Sequence, residues 1–238
     1  IGIMEHGFNW FSLVPIPFFH EYPYVPFGIV IFLVLLVMAL SVSRKMATPE
    51  NYLVPEKTLT LRNTFEMAVE AILGLIHDTM GEHGKYFLPL LGTLAFFIFF
   101  SNISGQIPGF VPPTSNINTT AACALIVFFT THIYGFKANG MKYLKHFLGP
   151  VWWLSPLMLP IEIIGHLARP LSLSMRLFGN IFGDHTVLAV FMLLVPLIVP
   201  LPMLLLGIFV AIVQTFVFML LSMIYIGGAI EHHEEEHH

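Results

Sequence analysis

Long apolar runs, broken by short polar or proline- and glycine-rich stretches, set the pattern of the chain. Residues 25–43, 86–104 and 119–136 are three such runs. Each is close to the roughly 20 residues with which a helix crosses the hydrocarbon core of a bilayer. Between the second and third lie Gly105, Pro108, Gly109, Pro112 and Pro113, which predict a loop over 105–118. A fourth apolar region, 155–195, is interrupted by polar residues. Residues 203–227 form a fifth, and Pro196, Pro200 and Pro202 mark a tight return before it.

Residues 61–76 follow a different rule. On a helix, Leu61, Phe65, Ala68, Ile72, Leu75 and Ile76 share one face, and Arg62, Asn63, Glu66, Glu70 and His77 take the other. Thr60 is placed to cap the start. The pattern predicts an amphipathic helix lying on the membrane surface or against a partner subunit.

Composition turns these runs into a class. Hydrophobic residues are 56% of the 238 and charged residues only 10%, where soluble domains average about 25% charged. So little charge cannot cover so large an apolar core in water, which argues against a soluble enzyme or a disordered regulator. The net charge of −4 supplies no basic field for nucleic acid. The expected fold is an all-α integral membrane protein of about five membrane helices plus the amphipathic helix, in one membrane domain spanning 1–238. Cys123 is the single cysteine, so no disulfide framework or multi-thiolate metal site is expected, and it reads as a small buried residue. No P-loop motif and no hydrolase constellation occurs, and no cofactor is expected. The N-terminal stretch lacks the basic start of a secretory signal. Asn102 and Asn118 begin weak glycosylation patterns, and the tail EHHEEEHH is a loose metal-binding composition.

The cations orient the chain. Arg44, Lys45, Lys57, Arg62 and Lys85 fall in 44–85, and Lys137, Lys142 and Lys145 in 137–150. Segments 105–118 and 196–202 hold no Lys or Arg. With five spans, all the loop cations lie on one side, which the positive-inside rule makes cytoplasmic. Residues 1–24 then lie outside, 44–85 form a cytoplasmic segment, 155–230 a helical hairpin, and the tail 231–238 lies inside.

Within the fourth region the polar residues align. Measured from Glu162 at about 100° per residue, His166, Arg169, Arg176, Asn180 and Asp184 all fall within an arc of about 80°, and the stripe is about 33 Å long. A charge at mid-membrane costs from about 3 to more than 10 kcal/mol, so such a row needs a use or partners. Arg176 cannot lose its proton, whereas Glu162, His166, Asp184 and His185 can exchange theirs. Arg169 reads as snorkelling to the headgroups. Asn102 and Gln106, at the outer end of the second run, match Asp184 in depth. On the last run Gln214, Gly207 and Tyr225 share a face. Asn180 and Gln214 also suit plain interhelical hydrogen bonding, and the glycines Gly179, Gly183, Gly207, Gly227 and Gly228 close packing. The layout is two polar patches, one toward each side, with a fixed cation between them.

Residues 170–185, PLSLSMRLFGNIFGDH, resemble subunit a of F-type ATP synthases. The likeness extends to Pro160-Ile-Glu162, Ser101-Asn102 and the last helix from Gln214 to Tyr225. It implies two long, tilted helices lying against a rotating ring of c subunits, with b subunits of the peripheral stalk as further partners, in a bacterial plasma membrane. It assigns Arg176 to the essential arginine facing the ring carboxylate and Asn180 and Gln214 to polar residues beside it. Glu162 falls in the cytoplasmic half-channel and Asn102 in the outer one. The chain departs from the pattern at His185, where many members carry Glu, and at Gly207, where some of those carry His. The outer path would then use Asp184, His185 or both, with His185 turned toward the last helix, where Gly207 leaves room for its ring. The implied function is proton translocation coupled to rotation, with no catalytic chemistry on this chain. A secondary transporter with its own mid-membrane site is the alternative, but such folds repeat their broken helices, and only one region here carries the stripe.

Overall fold

The structure, a computed structural model, describes residues 10, 22–46, 60–107, 109–140, 143, 155–194 and 200–231. Regular structure among them is helical throughout: α1 (Tyr24–Met46), α2 (Leu61–Met80), a 3₁₀ segment Glu82–Phe87 leading into α3 (Leu88–Ser104), a 3₁₀ turn Pro113–Ser115, α4 (Ile117–Asn139), α5 (Ser155–Leu194) and α6 (Pro200–Glu231). In lipid a helix is the economical choice, since it satisfies its backbone groups internally. Side-chain hydroxyls obey the same demand: Thr131 and Ser222, both buried, donate to the carbonyls of Val127 and Phe218 one turn back.

Among the described residues, four helical stretches are long and apolar enough to cross a membrane: Tyr24–Arg44, Glu82–Ser104, Ile117–Asn139 and Leu201–Ile230. α5 is more polar along its length, with Glu162, Arg169, Arg176, Asn180 and Asp184 interrupting its apolar run. With 40 residues it is about 60 Å long, twice the hydrocarbon core of about 30 Å. Only a steep incline keeps such a helix within the slab. Pro160 and Pro170 fall inside it without ending it. α6 has 32 residues and starts at Pro200, where the missing N–H costs nothing.

Two apolar clusters hold the helices together. One joins Ile72, Ile76 and Met80 of α2, Phe87 and the α3 residues Leu91 and Ala95, and Met219, Met223 and Ile226 of α6. The other joins Leu94 and Ile98 of α3, Cys123, Ala124 and Val127 of α4, Leu173 and Leu177 of α5, and Phe218 of α6. Cys123 is thus a packed core residue. Near its far end Val42 of α1 is buried, and at its start buried Phe27 meets Phe110 of the loop between α3 and α4 with ring centroids 4.1 Å apart. Most of its large residues between Phe27 and Val42 remain exposed, as suits contact with lipid.

α2 corrects the expectation from periodicity. Thr60 caps it through the Asn63 N–H, and it continues to Met80. Part of its apolar stripe, at Ile72, Ile76 and Met80, packs on α3 and α6 of the same chain, and Phe65 stacks on Phe96 at 4.6 Å. The faces also shift. Leu61 is 72% exposed, because it lies beyond the helices that cover Ile72 and Ile76. Arg62, assigned to the polar face, is buried, with Glu66 one turn on holding its Nε at 2.7 Å.

Candidate functional site

The stripe lies on the rim of the buried face of α5, whose centre is Leu173, Leu177 and Ile181. α3, α4 and α6 meet it at different heights and divide it into three.

The part around Asp184 joins the end of α3, α5 and α6. Gln106 Nε2 donates to Asp184 Oδ2 at 3.0 Å. Asn102, fully buried, accepts from Thr114 Oγ1 at 2.8 Å. Ser101 Oγ, Asn102 Nδ2 and Gln106 Oε1 have no partner among the described residues, so this patch has polar capacity to hold water. Gly207 makes the pairing possible: a Cβ there would lie 2.6 Å from Asp184 Oδ2 and would collide with the Gln106 amide. The expectation that Gly207 makes room for His185 is therefore corrected. His185 sits instead over Gly105, where a Cβ would strike its Nε2 and lie 3.0 Å from Cε1. Adjacent residues on a helix point about 100° apart; Asp184 takes the α6 side and His185 the end of α3.

In the middle, Arg176 is exposed and has no ion-pair partner among the described residues. A buried pair with another helix, the bland account of an arginine here, is not what the geometry gives. One turn on, Asn180 Nδ2 donates to Oε1 of buried Gln214 at 2.5 Å. Beside Arg176 the open face of α5 carries Gly165, Ala168, Ser172, Gly179 and Gly183. A Cβ on Gly165, Gly179 or Gly183 would meet nothing within 4 Å. Gly179 and Gly183 therefore do not serve packing inside this chain; they leave a smooth outer surface next to the cation. Exposed Leu171, Met175, Leu205, Phe209 and Phe216 extend that surface over both long helices.

The part around Glu162 joins α4, α5 and α6. His166 Nε2 lies 3.3 Å from Glu162 Oε1, and His166 is buried. Arg169 does not simply run out to the headgroups: its guanidinium lies over the Tyr225 ring, 5.5 Å from the centroid. His132 of α4 stands 5.1 Å from His166, ring to ring. His132 and Thr114 were not singled out from the pattern. No periodicity within one helix reveals which side chain of a second helix crosses it; only the depth of His132, in the last part of an apolar run, hinted at it. Thr120 of α4 also meets Ser174 of α5, oxygen to oxygen at 3.2 Å, and ties the two helices.

The fold and site together define a multi-pass, all-α membrane protein. It presents an uncompensated arginine on an open face, between two polar groups built from different helices. Residues 25–227 match the family described as ATP synthase A chain, and the chain belongs to that family. It is 53% identical over 201 residues to the ATP synthase subunit a of Trichlorobacter lovleyi, covering 84% of each chain. It is 58% identical over 171 residues to that of Geobacter sulfurreducens, covering 72% of this chain and 75% of the relative. To ATP synthase subunit a 2 of Syntrophotalea carbinolica it is 59% identical over 171 residues, covering 72% of this chain and 73% of the relative.

Proposed function

We propose that this chain is the stationary, proton-conducting partner of a rotating ring of c subunits in a rotary ATP synthase of a bacterial plasma membrane. The observation that carries the reading is Arg176, exposed and unpaired on the smooth face of α5 between the Gln106/Asp184 and Glu162/His166 groups. A guanidinium left bare at membrane depth is costly unless a partner supplies the anion; a carboxylate on a ring helix is such a partner. The rest of the synthase, including b subunits of the peripheral stalk, completes the assembly, with the N-terminus outside and the C-terminus in the cytoplasm.

A proton enters from outside along Asn102, Gln106 and Asp184, with His185 beside them, and neutralises a ring carboxylate. The neutral carboxyl can face lipid, which the ionised one cannot. After nearly a full turn it reaches Glu162 and His166 and gives up the proton toward the cytoplasm. The ionised carboxylate then passes Arg176, whose charge offsets its desolvation and bars protons from crossing directly between the two patches. Asn180 and Gln214 hold the helices in register beside the arginine, and Tyr225 holds Arg169. A membrane potential of about 100 mV supplies about 2.3 kcal/mol per proton.

Arg176→Ala tests this. ATP-driven acidification of inverted vesicles should vanish while the complex still assembles. Arg176→Lys should also fail, since a point charge that can deprotonate does not replace a fixed planar cation. Near-normal pumping by the Ala variant would overturn the reading.

A further inference from the structure

His132 lies off the polar stripe, on α4, and the path described above does not use it. Its ring is nonetheless held on several sides. Phe128 lies against it with centroids 4.1 Å apart, Tyr143 meets it edge-on at 6.1 Å, and His166 of α5 stands at 5.1 Å with its plane turned by 68°. Gly135, buried on the same helix, admits Tyr143: a Cβ there would lie 2.7 Å from Tyr143 Cε2. His132 Nδ1 is 2.8 Å from the Phe128 carbonyl oxygen. A carbonyl only accepts, so Nδ1 carries the hydrogen, and in the neutral ring Nε2 keeps the lone pair. The backbone thus fixes one tautomer and leaves the other nitrogen for exchange.

Its position fits such an exchange. His132 is seven residues before Asn139 at the end of α4, or about 10 Å along the axis. Among the described residues, the charged and titratable groups of this region are Glu162, His166 and Arg169 of α5, Tyr225 of α6, and Tyr143 beyond α4. His166 is already engaged with Glu162 through Nε2. His132 therefore extends that pair by one titratable ring, supplied by another helix.

We infer that His132 is a further proton-handling residue of the inner patch, exchanging a proton between the Glu162/His166 pair and cytoplasmic water. The inference rests on the ion-path reading above. In the synthesis direction the proton released by the ring carboxyl binds the Glu162/His166 pair. His132 Nε2 takes it, directly or across one water, and becomes imidazolium. The Nε2–H bond then breaks to water at the cytoplasmic mouth, and neutral His132 returns with Nδ1–H still on Phe128. In the pumping direction the same steps run backwards, and His132 gathers protons where free protons are scarce.

The test is ATP-driven acidification by the whole complex in inverted vesicles, with the pH of the cytoplasmic face varied. His132→Phe keeps an aromatic ring and the packing but not the proton. It should lose about twofold at about pH 6.5 and about tenfold at about pH 8.5, because a titrating imidazole matters most when protons are dilute. Added imidazole should restore much of the loss at the higher pH. His132→Gln, run in the same series, should show the same slope and covers the case in which the Phe variant fails to assemble. A loss that is equal at every pH, with no rescue by imidazole, would show a purely structural role and overturn the inference, as would parental activity throughout. Arg176→Ala in parallel separates the two readings. If it pumps normally, the ion path itself is wrong; if it is dead while the His132 variants have flat profiles, only the inference about His132 fails.

Discussion

Asp184 and His185 are consecutive, and the fold sends them to different helices. Asp184 reaches the Gln106 amide through the gap left by Gly207, and His185 lies over Gly105. Gly207 on α6 and Gly105 just past the end of α3 therefore decide which member of the pair joins the Gln106 contact. Asp184→Asn should cut proton-driven ATP synthesis by about tenfold or more, since an amide cannot relay a proton. His185→Leu should cost less, because the ring lies over Gly105 and takes no part in the Gln106/Asp184 hydrogen bond. A parental rate for Asp184→Asn together with a lost rate for His185→Leu would reverse these roles. Gly207→Val, read in the same assay with assembly followed by native electrophoresis, should abolish coupling without dissolving the complex, because the added side chain takes the space of the pair. Gln214→Leu removes one interhelical hydrogen bond, worth about 0.6–2 kcal/mol in membranes. Its effect should appear in coupling near Arg176 more than in stability.

At the scale of elements, the periodicity of residues 61–76 disclosed a helix, its cap and most of its apolar stripe, but not what covers the stripe. Ile72, Ile76 and Met80 meet α3 and α6, while Leu61 on the nominal same face stays 72% exposed. A helical wheel carries no information about where neighbouring helices end. Ile76→Ala should therefore destabilise the protein in detergent by about 2–4 kcal/mol, as a cavity at a fully buried site. Leu61→Ala should stay within about 0.5 kcal/mol, and thermal unfolding followed by circular dichroism compares them. Equal effects would mean that the observed cover of α2 is wrong. The stripe on α5 was legible because its residues share one helix and one angle. His132, Thr114 and the seat of His185 were not, because each depends on how α3 and α4 cross α5. The length of α5 was legible only as an apolar region with interruptions. Its helix continues through Pro160 and Pro170, although proline usually marks an end or a kink.

For the whole molecule, the distribution of Lys and Arg leads to a specific sidedness. Cysteines placed in 44–60 and 137–146 should label from the cytoplasm alone, and those in 110–117 from outside alone. The opposite labelling of 110–117 would exchange the two patches. The central claim is finer: the two polar groups share α5 but open to opposite sides, and Arg176 separates them. Access measured at the two groups themselves tests it most directly. The native cysteine is buried, so a Cys123→Ala background leaves a single introduced thiol, at Gln106 or at Glu162, to be met by a small, membrane-impermeant thiosulfonate reagent, which forms a disulfide and releases sulfinate, in vesicles of each orientation. The account predicts that the thiol at 106 reacts only from the outside and the thiol at 162 only from the cytoplasm. Reaction of both from the same side would contradict it.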